Sequence, residues 1–165
     1  MEGAKDKADK EAYIDVDKAE EHNNKGNEHF KRKEWVKAKE QYDEAIKRNP
    51  NDPKIYSNRA AALQKLVAHP DSLRDLDEAL KLDPKFVKAY SRKGAAYFLM
   101  KDYNKALQSY DEGLQIDPND AACKDGRAQV MAEREKELDK IEFVALHTHT
   151  RQRSKSWMKK SRQES

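Results

Sequence analysis

Apolar side chains recur every three or four residues along most of this chain, which is the spacing of amphipathic helices. The pattern predicts helices over 18–32, 35–48, 54–67, 71–82, 88–100 and 103–115. A further helical pattern follows over about 121–142, where apolar residues such as Val130 and Leu138 stand among many charged ones. The sequence therefore predicts an all-α protein.

The predicted helices come in pairs, and an Asp-Pro or Asn-Pro dipeptide follows each pair. The prolines, Pro50, Pro84 and Pro118, stand 34 residues apart and define repeats 19–52, 53–86 and 87–120. Stacked helical hairpins have periods of this length, and 34 residues is the period of the tetratricopeptide repeat (TPR). We therefore predict a right-handed TPR superhelix of three helix-turn-helix repeats with a capping helix over about 121–142. A generic helical bundle would not need a constant 34-residue phase.

Small residues occupy equivalent places in each repeat, and aromatic or bulky apolar residues stand between them. The small residues of the first helices are Gly26, Ala60 and Gly94, and those of the second helices are Ala38, Ser72 and Ala106. Small and large residues at fixed offsets allow two helices to pack ridge into groove. We expect the two helices of each hairpin to approach closely at these positions.

The two ends of the chain differ in charge from its body. Charged residues make up 39% of the chain and its mean hydropathy is −1.20, which alone would favour disorder. Residues 144–165 hold six basic side chains against one acid, leaving 28 basic and 30 acidic residues in 1–143. We predict a flexible segment over 1–13 and a disordered basic tail over 144–165. The tail combines these basic residues with Trp157, a composition that can contact nucleic acid or an acidic membrane. We favour the alternative, a solvated chain end.

Several function classes lack their usual signals. No apolar run approaches the ~18 residues of a membrane span. The opening MEGAKDKADK lacks the apolar stretch of a signal peptide. Cys123 is the single cysteine, so no disulfide can form within the chain. We expect a cytoplasmic protein, with a nuclear location also open. No Gly-rich phosphate loop or Ser/His/Asp grouping occurs, and His147 and His149 have no neighbouring metal ligand. The sequence predicts neither an enzyme, nor a cofactor, nor a metal site.

Polar residues on the first helices of the repeats suggest a binding groove. Residues four apart share a helical face, and that face carries Asn23 and Asn27, then Asn58, then Lys88 and Arg92. Amide donors and two cations without a carboxylate suit an extended peptide that ends in an acid. The alternative is a solvated helix face, since a chain this rich in charge places lysine and arginine everywhere. Spacing alone leaves both interpretations open.

Three segments resemble a known family: AYIDVDKAEEHNNKGNEHF, YDEAIKRNPNDPKIYSNRAA and FVKAYSRKGAAYFLMKDYNKALQSYDEGLQIDP. They are similar to the carboxylate-clamp TPR domains of the Hop family, the stress-inducible heat-shock organising co-chaperones, and especially to the last TPR module of that family. The resemblance covers about residues 12–135. It implies a co-chaperone or adaptor that binds the C-terminal Glu-Glu-Val-Asp tails of cytosolic heat-shock chaperones of the seventy- and ninety-kilodalton classes.

In that family five positions grip the terminal aspartate, and four of them match here as Asn27, Asn58, Lys88 and Arg92. The fifth is normally a lysine, where this chain has Asn23. The resemblance therefore implies a clamp weakened by one to two decades in affinity, because a charge-assisted hydrogen bond contributes roughly 1.5–3 kcal/mol. His22 and Lys25 are candidates to replace the missing cation.

Two further hypotheses remain at this stage. A TPR groove can bind an internal peptide of another partner, in which case the carboxyl end of the ligand would not matter. The basic tail can instead direct nucleic-acid or membrane association, and such binding would depend steeply on salt.

Overall fold

The computed structural model describes residues 13–161, which are helical apart from short turns. Seven helices follow one another from Val16 to Ser161. They are α1 (Val16–Lys31), α2 (Trp35–Arg48), α3 (Pro53–Lys65), α4 (His69–Leu82), α5 (Val87–Leu99), α6 (Tyr103–Ile116) and α7 (Ala121–Ser161). No strand occurs in this part of the chain, so the all-α prediction is confirmed. Helices α1 to α6 begin and end within two residues of the predicted bounds. The segment predicted to be flexible lies, apart from Tyr13, outside the described residues.

Six helices pack as three successive hairpins: α1 with α2, α3 with α4, and α5 with α6. Each hairpin also packs on the next, α2 against α3 and α4 against α5. The first helices contact one another as well, α1 with α3 and α3 with α5. Helices α1, α3 and α5 therefore form one side of the domain, and all five predicted site residues lie on them.

The turn inside each hairpin has the same backbone conformation. The middle residue of each three-residue turn has a left-handed backbone, although none of the three is glycine: Lys33 (φ 62°), Val67 (φ 61°) and Lys101 (φ 60°). The next residue donates its N–H to a carbonyl five residues back, as Glu34 does to His29 at 2.9 Å. This is the Schellman arrangement, which ends a helix sharply. Identical turns return the chain in the same direction in every repeat.

Glycine and tyrosine set the separation of the two helices in the first and third hairpins. A Cβ on Gly26 would lie 2.5 Å from the ring of Tyr42, and one on Gly94 would lie 2.7 Å from the ring of Tyr110. Both tyrosines are buried. In the second hairpin the equivalent residues are Ala60 and Leu76, which belong to one buried cluster. The smaller leucine leaves room for the extra methyl group, so each repeat satisfies the same packing constraint.

An ion network fixes α3 between its neighbours. Arg59 donates from Nε and Nη2 to both carboxylate oxygens of Asp75, at 2.8 and 2.6 Å, and from Nη1 to Asp43 at 2.8 Å. Asp75 is only 6% exposed, and a buried carboxylate needs such a partner. The hydrogen bonds to Asp75 raise the pKa of Arg59 above its ordinary value. The network ties α3 to α2 and α4, next to Asn58 in the sequence.

The last helix is longer than predicted. We expected it to end near residue 142 and a disordered tail to follow over 144–165, whereas α7 continues to Ser161. No glycine or proline interrupts residues 127–161, and these are the residues that most often end a helix. At its start α7 packs on the third hairpin, since Cys123 lies against Gly113 and Gly126 against Tyr110. The described residues from 128 onward form a separate unit. None of the described helices is long and apolar enough to cross a membrane.

Substitution of Gly94 by alanine is expected to destabilise the protein. The new methyl group overlaps the Tyr110 ring, and overpacking costs about 1–3 kcal/mol, against roughly 1 kcal/mol gained in helix propensity. Urea unfolding followed by circular dichroism should show a lower free energy of unfolding for Gly94→Ala. Adding Tyr110→Leu, which copies the Ala60–Leu76 pair, should recover part of the loss. A single variant as stable as the wild type would contradict this packing argument.

Candidate carboxylate-binding site

A cavity of about 290 Å³ opens on the side formed by α1, α3 and α5. Four of the five residues predicted from the sequence line it. The complete lining is Asn27, Phe30, Lys31, Tyr42, Asn58, Ala61, Lys88 and Arg92. No acidic side chain is among these lining residues. The structure thus brings amides and cations from three hairpins to one cavity, as the sequence predicted.

Arg92 is the inner cation of the site. Its Nη1 donates to the hydroxyl of Ser57 at 2.6 Å and to Asn58 Oδ1 at 3.2 Å, and the Gln64 side chain donates to its backbone carbonyl at 2.9 Å. These contacts hold Arg92 of α5 against α3. Burial lowers the pKa of Arg92, and the nearby Tyr42 opposes that shift. Among the described residues no carboxylate pairs with Arg92, so it is a partly buried charge without a counter-ion.

Lys88 lies one helical turn before Arg92 on α5 and lines the same cavity. The Arg92 charge, and after it burial, lowers the pKa of Lys88. Two like charges that disfavour each other's ionised form are both stabilised when an anion binds between them. Lys88 is exposed, with no acid partner among the side chains the structure describes. The electrostatics of the cavity therefore favour a negatively charged ligand.

The two central asparagines have different roles in this structure. We expected Asn27 and Asn58 both to donate to the ligand. Asn58 instead donates from Nδ2 to Asn23 Oδ1 at 3.1 Å and to Asn27 Oδ1 at 3.3 Å, while its own Oδ1 accepts from Arg92. Asn58 thus connects α1 to α5. The Nδ2 group of Asn27 makes no hydrogen bond with the described residues, so its two N–H donors are unused.

Tyr42 determines which way the Asn27 amide points. Its hydroxyl donates to Asn27 Oδ1 at 2.8 Å. Burial raises the pKa of Tyr42 to about 12, so the hydroxyl remains protonated and keeps its donor at neutral pH. With two donors on the Asn27 oxygen, the amino group is left for the cavity. Tyr42 is one of the bulky aromatic residues that stand between the small packing positions, and its contact with Gly26 explains how it both packs the hairpin and orients Asn27.

Asn23 does not line this cavity. Its side chain contacts Asn58 and borders a separate polar depression with Glu20, Asn49 and Lys54. The two cations that we considered as replacements are engaged elsewhere: His22 Nδ1 lies 2.9 Å from Gln41 Oε1, and Lys25 pairs with Glu21 at 2.6 Å. Neither residue lines the cavity. Lys31, which we had not considered, lines the cavity instead.

The described residues contain no group of three or more His, Cys, Asp or Glu side chains that could hold a metal ion. Cys123 is buried, and burial together with Asp120 raises the pKa of its thiol to about 12. A thiol with this pKa remains protonated at neutral pH and is a poor nucleophile. Its observed contact is with Gly113, which is a packing role.

Comparison with known proteins identifies the class. Residues 87–120 match the tetratricopeptide repeat model, and residues 26–67 match a second TPR repeat model. The fold and these matches show that the chain belongs to the TPR family. Within it, the resemblance to the Hop family is confirmed. The chain is 50% identical over 74 residues to Hsp70-Hsp90 organizing protein 1 of Glycine max, which covers 45% of this chain and 13% of that relative.

Two solved TPR domains extend the comparison over most of the domain. The TPR2B domain of yeast Sti1, solved as an Hsp70 complex, is 36% identical with a TM-score of 0.66, over 70% of this chain and 98% of that one. The first TPR domain of Spaghetti, solved with the HSP90 peptide SRMEEVD, is 28% identical with a TM-score of 0.70, over 74% of this chain and 98% of that one. The chain spans only a small part of its curated relative, about one eighth.

Tyr42→Phe should weaken the binding of a peptide that ends in aspartate. Loss of the hydroxyl frees the Asn27 amide to rotate, and one hydrogen bond contributes roughly 0.5–1.5 kcal/mol, or about threefold to tenfold in affinity. Fluorescence anisotropy with a labelled peptide measures the affinity of each variant. Tyr110→Phe is the matched control, because Tyr110 packs on Gly94 as Tyr42 packs on Gly26 but lies outside the cavity. Equal losses in both variants would show that the hydroxyl acts on the fold rather than on Asn27.

Proposed function

We propose that this chain is a co-chaperone or adaptor module that binds the acidic C-terminal tails of heat-shock chaperones of the seventy- and ninety-kilodalton classes. One observation carries the proposal: Arg92 and Lys88 face one cavity with no acidic side chain in its lining. A cation pair left without counter-ions costs stability in the free protein. An anionic ligand would compensate that cost.

The ligand chemistry follows from the donors. A terminal aspartate presents two carboxylates a few ångströms apart, one from the chain end and one from the side chain. Arg92 would grip one carboxylate through its guanidinium, Lys88 would add a second charge, and Asn27 would donate an amide hydrogen. Asn58 would hold the Arg92 and Asn27 side chains in place rather than contact the ligand first.

The relatives support this choice of partner. Those compared above include an Hsp70-Hsp90 organizing protein, a TPR domain solved as an Hsp70 complex and a TPR domain solved with a peptide ending in Glu-Glu-Val-Asp. A cytoplasmic location, with a nuclear one also open, is part of the proposal because the chaperones implied by the resemblance are cytosolic. The role requires binding alone, with no catalytic step.

The free carboxyl end of the ligand is expected to be essential. A peptide ending in Glu-Glu-Val-Asp should bind as the free acid and at least tenfold more weakly when amidated, because amidation removes a charge at the cation pair. Isothermal titration calorimetry compares the two peptides directly. Arg92→Ala should weaken the free acid roughly 10–100-fold, whereas Arg74→Ala, at an exposed site on α4, should not. Equal affinity for both peptides would support recognition of an internal peptide instead.

Asn23→Lys should strengthen binding. A lysine adds a positive charge beside Asn58, and one charge-assisted contact is worth roughly one to two decades in affinity. Asn24→Lys is the matched control, since it adds the same charge at an exposed position that lacks the contact of Asn23 with Asn58. The same calorimetric titration, repeated at two salt concentrations, measures the gain. If both variants gain equally, general attraction rather than a local contact explains the effect.

A further inference from the structure

The site has fewer cations than the clamp it resembles. Position 23 carries an asparagine whose side chain contacts Asn58, outside the cavity lining. Neither His22 nor Lys25 replaces the missing charge, since Gln41 and Glu21 occupy them. A ligand with two carboxylates would then meet only Lys88 and Arg92, both on α5. The α1 side of the cavity would have no positive charge unless another residue supplies it.

Lys31 lies where such a charge is needed. It follows Asn27 by four residues, so the two side chains share one face of α1, and both line the cavity. Its Cα stands about 6 Å further along the helix axis, from a rise of 1.5 Å per residue. Side chains on a helix lean towards its N-terminus, which directs the Lys31 stem back towards Asn27. A four-carbon stem spans that distance.

The Lys31 amine is available to a ligand. The side chain is exposed, and it makes no hydrogen bond or ion pair with any side chain that the structure describes. This differs from other lysines nearby, such as Lys25 with Glu21 and Lys37 with Glu34. The lining contains no acid that would neutralise it. An exposed lysine without a counter-ion at the edge of a cationic cavity adds to the attraction for an anion.

We propose that Lys31 is the third cation of this site and takes the place of the lysine that position 23 lacks. The proposal rests on the proposed function above. Lys31 on α1 and Lys88 on α5 flank the cavity, with α3 between them and the more buried Arg92 at its base. A doubly acidic chain end is then held from both sides. The α1 side of the clamp then has its cation, at position 31 rather than at position 23.

The direct test is Lys31→Met, which keeps the length and apolar stem of the side chain and removes its charge. Titrated with the free-acid Glu-Glu-Val-Asp peptide, this variant should bind about tenfold more weakly than the wild type, the loss expected for one charge-assisted contact. Lys31→Arg, which keeps the charge, should bind as the wild type does. Lys25→Met is the matched control on the same helix and should leave affinity within about twofold, as expected for a surface ion pair.

A rescue experiment separates replacement from a merely additive charge. If Lys31 acts in place of position 23, Asn23→Lys should gain clearly more affinity in the Lys31→Met background than in the wild type, whereas equal gains in both backgrounds would show that the two charges are merely additive. Circular dichroism of each variant checks that the helical fold is retained. Lys31→Met binding as tightly as the wild type, while the wild type still prefers the free acid over the amide, would overturn this inference alone. A wild type that does not distinguish the two peptides would overturn the proposed function and this inference with it.

Discussion

The contact between Gly26 and Tyr42 is the interaction on which both the fold and the site depend. Because Gly26 has no side chain, the Tyr42 ring can lie against the backbone of α1, where a Cβ would come within 2.5 Å of it. The same approach brings the Tyr42 hydroxyl to the side chain of the next residue, Asn27, at 2.8 Å. In the third repeat Gly94 and Tyr110 make the same packing contact without a site. The glycine–tyrosine contact that packs the hairpin therefore also orients Asn27 in the first repeat.

Lys88 and Arg92 bring positive charge to the cavity, and no acidic side chain in its lining neutralises that charge. Arg59, another partly buried arginine, is paired with a carboxylate through its bidentate contact with Asp75. Arg92 is also largely enclosed, yet its partners are the neutral oxygens of Ser57 and Asn58. Neutral acceptors hold a guanidinium in place without cancelling its charge. The arrangement reduces the stability of the free domain and leaves the charge for a ligand, a common conflict between stability and function.

The three first helices act together because polar side chains connect them across the cavity. Asn58 on α3 accepts from Arg92 of α5 and donates to Asn27 of α1. Helix α3 is in turn held by the ion network of Arg59. A site of this kind depends on the spacing of hairpins more than on any single helix. Displacement of one helix by an ångström would separate donors that must meet one ligand.

The sequence by itself determined the number of repeats, the bounds of α1 to α6 to within two residues and the convergence of Asn27, Asn58, Lys88 and Arg92. A fixed period repeats both the turn and the packing, so residues at equivalent positions must share a side of the domain. Only the tertiary structure decided that Asn58 bonds to other side chains and that Lys31 borders the cavity. Side-chain partners across 30 residues or more of chain, such as Asn58 with Asn23, depend on how hairpins stack, which no local pattern records. The length of α7 was also misjudged, because charged residues that suggest disorder are equally good helix formers.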